Sequence, residues 1–502
     1  MAETDDAMLG PADLCRRARA LWARRDVPAA FSAAWSAFRL APDSPRAKGL
    51  LVRLLYNYPD RLSADQREDF LRLLNDPEVE PNRIVAAGWH LLIDRLALSD
   101  DVSAAAFDRL AGELERDALP LALLRQAPVM PAAAERELTR LRRWLLLSRQ
   151  WQRYPELVAA LNRQAALNGG AWPFDEEERV RLGETESAPL RPAFLPQRLG
   201  KFTAALAEGA DPVTRAVTAQ YEGWPYPSWT RITRRAPSCL PDEVRTLDAA
   251  LAPHLPIAAR MLVAGCGSGR HAAAVASHFP DAAVTAVDVS EPSLDYARRQ
   301  CASLGLNNVR FLRLDLHDVT ALGQTFHSIH CGGVLHHLPD PERGWRALCD
   351  VLEPYGVMHI MLYNSIARLR IAGARKLVAE LMEQPIDDDL LRRVRARLLR
   401  QADHPLAAHA VRSPDFATLA GTHDLLLHRH EDPFDLLRIG QALDTLGLGL
   451  LAFSFQSPEV EARYDAAFPQ DPGHRNLSSL LSFERRNPGV FGNYRFWCCR
   501  PA

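Results

Sequence analysis

Apolar positions along this chain follow two different periods. Over residues 1–185, which are rich in Ala, Leu and Arg, they recur at helical spacing with few strand-like runs, and this predicts an all-helical region. From residue 261 onward short apolar runs alternate with helical stretches, which predicts strands and helices in turn. The first run, residues 261–264, breaks into glycines at 265, 267 and 269 and then into an alanine-rich stretch, reading as a buried strand, a tight turn and a helix. A second strand over 282–288 ends in Asp288, and Ser290 stands where it caps a helix opened by Glu291 and Pro292. A third strand begins at Val309 and ends at Asp315. A fourth segment runs from His330 through Gly332, Val334, His336 and His337 to Asp340, and a fifth covers 356–363. Final strands are expected at 448–455 and 494–499, the last with Cys498 and Cys499 on opposite faces.

Between the two regions, residues 183–197 carry three prolines among mostly polar neighbours and read as a linker or wrapping segment. The stretch 219–229 that follows holds too many aromatics and prolines for an ordinary connection. Pro225 and Pro227 force extended backbone, so Tyr221, Trp224, Tyr226 and Trp229 would be presented in a fixed array. The expected division is a helical domain over 1–185, a linker and aromatic segment over 186–230, and an α/β domain over 231–502 with a helical insert at about 365–446.

A length of 502 residues allows two or three domains, because single cores stop growing near roughly 250–300 residues. A net charge of −2 without a long basic stripe argues against a nucleic-acid phosphate track. No apolar run reaches the roughly 18 residues that span a bilayer, and the first residues are acidic, so no membrane segment and a cytoplasmic location are expected. The eight cysteines show no metal spacing, and Cys266 and Cys331 are expected as buried thiols.

Candidate chemistry centres on the glycine turn. Its glycines permit positive φ and close approach of a ligand to the main chain, and the helix behind it offers free N–H groups. The dinucleotide pattern fails at its last small position, where Arg270 stands. Asp288 lies about 20 residues beyond the turn, the usual distance for an acid that holds ribose hydroxyls.

This order of glycine turn, Asp288, Asp315 and the His336-His337 segment resembles the class I S-adenosylmethionine-dependent methyltransferases, continuously over about residues 215–365 and again in the two final strands. The resemblance implies an α/β fold with a Rossmann-like seven-stranded sheet and S-adenosylmethionine as cofactor. By that likeness Ala264, Gly265, Cys266, Gly267 and Gly269 would lie against its methionine part. Asp288 with Val289 would hold the ribose, and Asp315, Leu316 and Val334 would border the adenine side. Two departures stand out: Val263 where many members carry an acid, and His327 and Ser328 where the fourth strand often has one.

The helical region contains Ala18, Leu21, Ala30, Ala34, Ala37 and Pro42 at positions that resemble one tetratricopeptide repeat, with degenerate helical pairs expected around 81–98 and 134–167. Together with the Tyr-Pro segment, the insert and the ending 483–497, the chain resembles a bacterial group of tetratricopeptide-linked methyltransferases. In the insert, Leu390, Leu391, Val394 and Leu398 share a face, Asp387, Asp388 and Asp389 sit in the first turn, and Arg392, Arg393, Arg395, Arg397 and Arg400 read as solvated. His423, His428 and His430 near Asp424, Glu431 and Asp432 bring a metal site to mind. His428 and His430 would share one side of a strand, but His423 is out of register and Pro433 cuts the run. Acceptor binding is preferred there, and no metal is assigned.

A sulfonium methyl is already activated, so such an enzyme mainly holds a nucleophile in line with it, and a base is needed only if the acceptor must first lose a proton. The resemblance brings the acceptor over the ends of strands four and five, beside His336, His337, Tyr363 and Asn364, with Trp224, Tyr226 and Trp229 opposite. His337 is the preferred base, with His336, Tyr221 and Glu222 as further ionisable groups. The Asn/Asp-Pro-Pro-Tyr clamp of adenine or glutamine methyltransferases is absent after strand four. A protein or peptide side chain recruited by the helical domain is the preferred acceptor. A small metabolite is the second reading, and an interaction protein without turnover is the third. A helical groove open toward the cleft would favour the peptide, and one filled by its own chain would favour the metabolite.

Overall fold

The computed structural model describes residues 9–98, 103–184 and 211–500. The first two stretches are helical from Pro11–Ala23 to Glu176–Glu184, around a single apolar cluster that includes Trp22, Trp35, Phe70 and Trp89. Ala18, Ala30, Ala34 and Ala37 are fully or almost fully buried where helices Pro11–Ala23 and Val27–Leu40 pack together, since small side chains let two helices approach closely. Residues 185–210, which include most of the expected linker, lie outside the described residues.

The rest is built on seven strands: β1 (Arg260–Ala264), β2 (Ala283–Asp288), β3 (Val309–Arg313), β4 (Phe326–Gly332), β5 (Leu352–Tyr363), β6 (Gly449–Phe453) and β7 (Asn493–Cys499). Their order is β3-β2-β1-β4-β5-β7-β6, parallel except where β7 runs antiparallel between β5 and β6. β1 reads as an unbroken apolar run because helices cover both faces of the sheet, leaving no polar side. β5 begins four residues earlier than the sequence pattern predicts. Its pairing with β4 shifts register between Phe326 and Ser328, where Tyr355 takes a positive φ of 63° and breaks the apolar alternation. The chain reverses direction across the sheet between β1 and β4, and this is where open α/β sheets leave a crevice for ligands.

Three expectations are corrected by the elements themselves. Tyr221 and Glu222 do not belong to the extended array: they sit in the last turn of helix Pro212–Gly223, and only the residues from Trp224 on are extended. His428 is not on a strand: His423 lies in helix Leu419–Leu427 and His428 caps its end, because the apolar run Leu425-Leu426-Leu427 is buried by helical packing. Arg395 is not solvated: it is 1% exposed and paired with Glu135 of the helical domain, its Nη2 2.7 and 2.8 Å from the two carboxylate oxygens. Arg393, Arg397 and Arg400 are exposed as expected.

That pair is one of several contacts docking the helical domain onto the rest. Arg231 donates to the carbonyls of Asp76 and Leu74 at 2.9 and 3.0 Å, Glu80 pairs with Arg270 at 2.9 Å, and Asn82 donates to the Ser228 carbonyl at 3.2 Å. Arg392 reaches the Gly170 carbonyl at 2.8 Å, and the Leu419 N–H reaches that of Asn168 at 3.1 Å. No helix among the described residues is long and apolar enough to cross a membrane.

Candidate active site

The glycine turn follows β1 into helix Arg270–His278, and all three of its glycines stand where nothing larger fits, Gly269 with φ +85° and Ala297 Cβ 2.4 Å from where its own Cβ would be. Gly265 has φ +64°, and a Cβ there would stand 2.3 Å from Val334 Cγ2. Gly267 has φ +53°, with the Tyr226 carbonyl 3.0 Å from where its Cβ would be. The main chain of this turn therefore lies between Val334 after β4 and the Tyr226-Pro227 segment. Ser268 donates to the Pro227 carbonyl and its carbonyl accepts from Trp229 Nε1 at 2.9 Å, which ties that segment down.

Asp288 ends β2 beside the turn. Its Oδ2 accepts from the Gly267 N–H at 2.7 Å and its Oδ1 from the Ser290 N–H at 2.9 Å. Burial pushes its carboxyl up and these backbone donors pull it part of the way back. A carboxylate offers about four acceptor positions, so acceptor capacity remains beside the Gly267, Ser290 and Val289 N–H groups for a ligand's hydroxyl. Asp315 caps the helical turn after β3 and accepts from the His317 N–H at 2.9 Å and imidazole at 3.0 Å. Burial would raise this carboxyl, and the His317 contacts more than reverse that. Gly332, at the end of β4, is exposed although Cys331 before it is fully buried. Bare glycine backbone, a partly satisfied acid and exposed main chain at the β1/β4 crevice fit a nucleoside-bearing cofactor. Of the other residues assigned to it, Ala264, Cys266 and Leu316 are buried, whereas Val289 and Val334 are partly exposed.

The end of helix Pro212–Gly223 joins this region to the insert. The Tyr221 carbonyl accepts from Ser290 Oγ at 3.2 Å, next to Asp288, while its phenol donates to Asp424 Oδ1 at 2.7 Å and stands 3.1 Å from His428 Nε2. His428 stacks on His337 at 3.7 Å, and His336 stacks on Tyr363 at 3.9 Å. His337 Nδ1 lies 2.9 Å from the His430 carbonyl, which fixes the proton on that nitrogen. Tyr226 Oη bonds Asp415, and Arg368 covers the Tyr363 ring at 4.5 Å. Thus Tyr221, Tyr226, Tyr363, His336, His337 and His428 are brought together.

Electrostatically, uncharged rings here surround one unusual acid, Asp424, on which Asp415, Glu431 and Arg368 act. Burial lowers His336, His337 and His428, with His337 down to about 4, so all three are neutral near pH 7. Burial and then the negative field of Asp415 lift Asp424 to about 7. His336 Nε2, His423 Nδ1, His430 Nε2 and Arg368 Nε are buried here without a hydrogen-bond partner among the described residues, an arrangement that invites a polar ligand.

Several sequence candidates stand elsewhere. Trp229 is 1% exposed and plugs the rear of the glycine turn against Tyr296, because its indole N–H is satisfied by Ser268. Asn364 is fully buried, bonding Glu484 and capping helix Ser365–Lys376. Glu222 faces Arg313 at 3.5 Å, on the β3 side of the cleft. Trp224 donates to Asp388 at 3.0 Å and stacks on His423 at 4.7 Å, so it seals the aromatic segment to the insert. Asp415 and Arg368 carried no signal in the sequence. Asp424 was visible there only as a neighbour of the histidines.

Residues 261–356 match a family model described as a methyltransferase domain. An uncharacterized protein of Synechococcus is 31% identical over 261 residues, 49% of this chain and 61% of that protein. A ubiquinone biosynthesis O-methyltransferase of Coxiella burnetii is 33% identical over 104 residues, 21% of this chain and 43% of that one. A trans-aconitate 2-methyltransferase of Deinococcus radiodurans is 31% identical over 136 residues, 26% and 50% of the two chains. The chain thus spans roughly half the length of these curated relatives. Among solved structures, PKMT2 from Rickettsia typhi in complex with AdoHcy aligns over 55% of each chain with 16% identity and a TM-score of 0.39. Match and sheet order agree that the chain carries a class I methyltransferase domain, whose cofactor is S-adenosylmethionine.

Proposed function

We propose that this chain transfers a methyl group from S-adenosylmethionine to a small-molecule acceptor whose nucleophilic atom gives up its proton toward Asp424. The observation that carries this reading is the bridge made by Tyr221, whose carbonyl is tied to Ser290 beside Asp288 and whose phenol is tied to Asp424 in the insert. When bound along the β1 and β4 ends, the cofactor supplies a methyl already activated on a sulfonium. The chain's own task is to orient the acceptor, exclude water and take up a proton. Asp424 suits the last task because an acid poised near 7 is half ionised at neutral pH. Tyr221, held as a neutral phenol by burial, can relay the proton to it. His337 is a weaker base at about 4 and packs as an uncharged wall.

A small acceptor is favoured over a peptide because the face that the helical domain turns toward the insert is occupied by its own chain, through Arg395, Arg392 and Leu419, and another part of that domain is occupied by Arg231 of the strap before β1. The two named enzymes among the relatives, a ubiquinone biosynthesis O-methyltransferase and a trans-aconitate 2-methyltransferase, support the class of chemistry but align with only 21% and 26% of this chain.

Calorimetric titration with S-adenosylmethionine tests the cofactor half. Saturable binding that Asp288→Ala weakens at least tenfold is expected, and a folded wild-type chain that binds nothing would overturn it. For the acceptor, methyl-labelled cofactor is incubated with host extract and the products are separated by size. Label in the small-molecule fraction supports the proposal, and label confined to protein would refute it.

A further inference from the structure

Three histidines far apart in sequence meet on the opposite side of β4 from the apolar core under Trp345. His330 on β4 and His359 on β5 are register partners and so share a face of the sheet. His271, in the first turn of the helix after the glycine turn, leans over them. One nitrogen from each lies within 4.8 Å of those of the others, and His271 Nε2 is 3.4 Å from His330 Nδ1. Zinc–imidazole bonds of about 2.0–2.1 Å in a tetrahedron place ligand nitrogens about 3.4 Å apart. Ser328 Oγ lies 3.3 Å from His330 Nε2, so it can accept the proton there and leave the Nδ1 lone pair facing the other two rings. Trp497 backs His359 at 4.9 Å and His330 at 5.6 Å, which fixes their planes.

From this geometry we propose that His271, His330 and His359 form a binding site for a single divalent transition cation of the imidazole-preferring class, with Zn²⁺ as its natural type. His271 is solvent-exposed, so a fourth coordination position is open to water. An imidazole with an ordinary value near 6.5 is mostly neutral at pH 7, and burial lowers His330 and His359 further, His359 to about 3, so none of the three needs to lose a proton to bind at neutral pH. Arg270 and Arg495 add positive charge at His271, and Arg495 and Arg235 add it at His359. Glu243 is felt at His359 but is held by His278 and Arg235. Neutral nitrogen donors in a positive field disfavour Mg²⁺ and Ca²⁺, which require anionic oxygens.

Tag-free full-length protein, stripped with a chelator and dialysed against Zn²⁺, is expected to retain one equivalent, and excess Mg²⁺ or Ca²⁺ should not displace it. Co²⁺ in its place should give the visible absorption of a tetrahedral nitrogen site. His271→Ala and His359→Ala should each weaken Zn²⁺ by about 100-fold or more, since loss of a mere outer-shell partner costs 10–100-fold. Circular dichroism checks folding, and His271→Ala, at an exposed position, keeps the test decisive if His359→Ala unfolds. No stoichiometric Zn²⁺, or binding that a folded His271→Ala variant retains at full strength, would overturn the proposal. Binding of S-adenosylmethionine is read separately, so failure of the metal site leaves the methyltransferase reading untouched.

Discussion

Asp424 is 3% exposed, with the Tyr221 phenol on one oxygen and the charge of Asp415 close by. Its carboxyl rises from an ordinary 3.8 to about 7, which has two consequences of opposite sign. As a proton acceptor it must be ionised, so kcat/KM should climb as pH passes through about 7, and Asp424→Asn should flatten that rise and lower turnover. As a structural group it is favoured protonated, so its contribution to stability is full below the ordinary value and is lost as pH rises through about 7. Thermal melts at pH 8 should therefore show Asp424→Asn more stable than the parent, by something on the order of 4 kcal/mol. Near pH 4 the difference should vanish. A variant that loses stability at pH 8 would show that Asp424 is compensated by charges this reading leaves out.

Helix Pro212–Gly223 ends between two neighbourhoods, and its last turn serves both. Tyr221→Phe removes the donor to Asp424 but keeps the backbone carbonyl that Ser290 uses. Cofactor affinity in a titration should stay within about twofold, while kcat should fall by about 10²-fold and its pH midpoint should move up as Asp424 loses its stabilising partner. A large loss of cofactor affinity instead would assign Tyr221 to the cofactor. Elements of this kind mark what could be read from sequence. The glycine turn, Asp288 and the Ser290 cap were legible because each signal is carried within a few neighbouring residues and one strand-turn-helix unit. The Tyr221 turn was misread as extended because the prolines at 225 and 227 act only on residues next to them, and four residues upstream the helix continues. Arg395, Asp415 and the His271, His330, His359 trio were illegible for a different reason. Their surroundings come from segments up to 260 residues apart, which no local period encodes.

At the scale of the molecule, the buried Arg395–Glu135 pair crosses between the insert and the helical domain. Removing one partner strands the other's charge, so Arg395→Ala should cost about 3–5 kcal/mol in denaturant unfolding. Replacing both residues with apolar side chains of similar volume should cost much less. Equal losses in the single and double variants would mean that packing, not charge, holds the joint.

The strap from Ser228 to Arg234 extends this coupling. It touches the glycine turn on one side, and on the other it is hung from the helical domain by Arg231, Asn82 and Glu80. The helical domain thus behaves as a splint for the cofactor loop. Cutting it away would loosen the cleft from behind, so a truncated chain would report lost preorganisation even if the missing helices never touched an acceptor. Conversely, ligand captured in the cleft should tighten a joint some distance from the chemistry, and the helices at the beginning of the chain should exchange their amide protons more slowly in its presence.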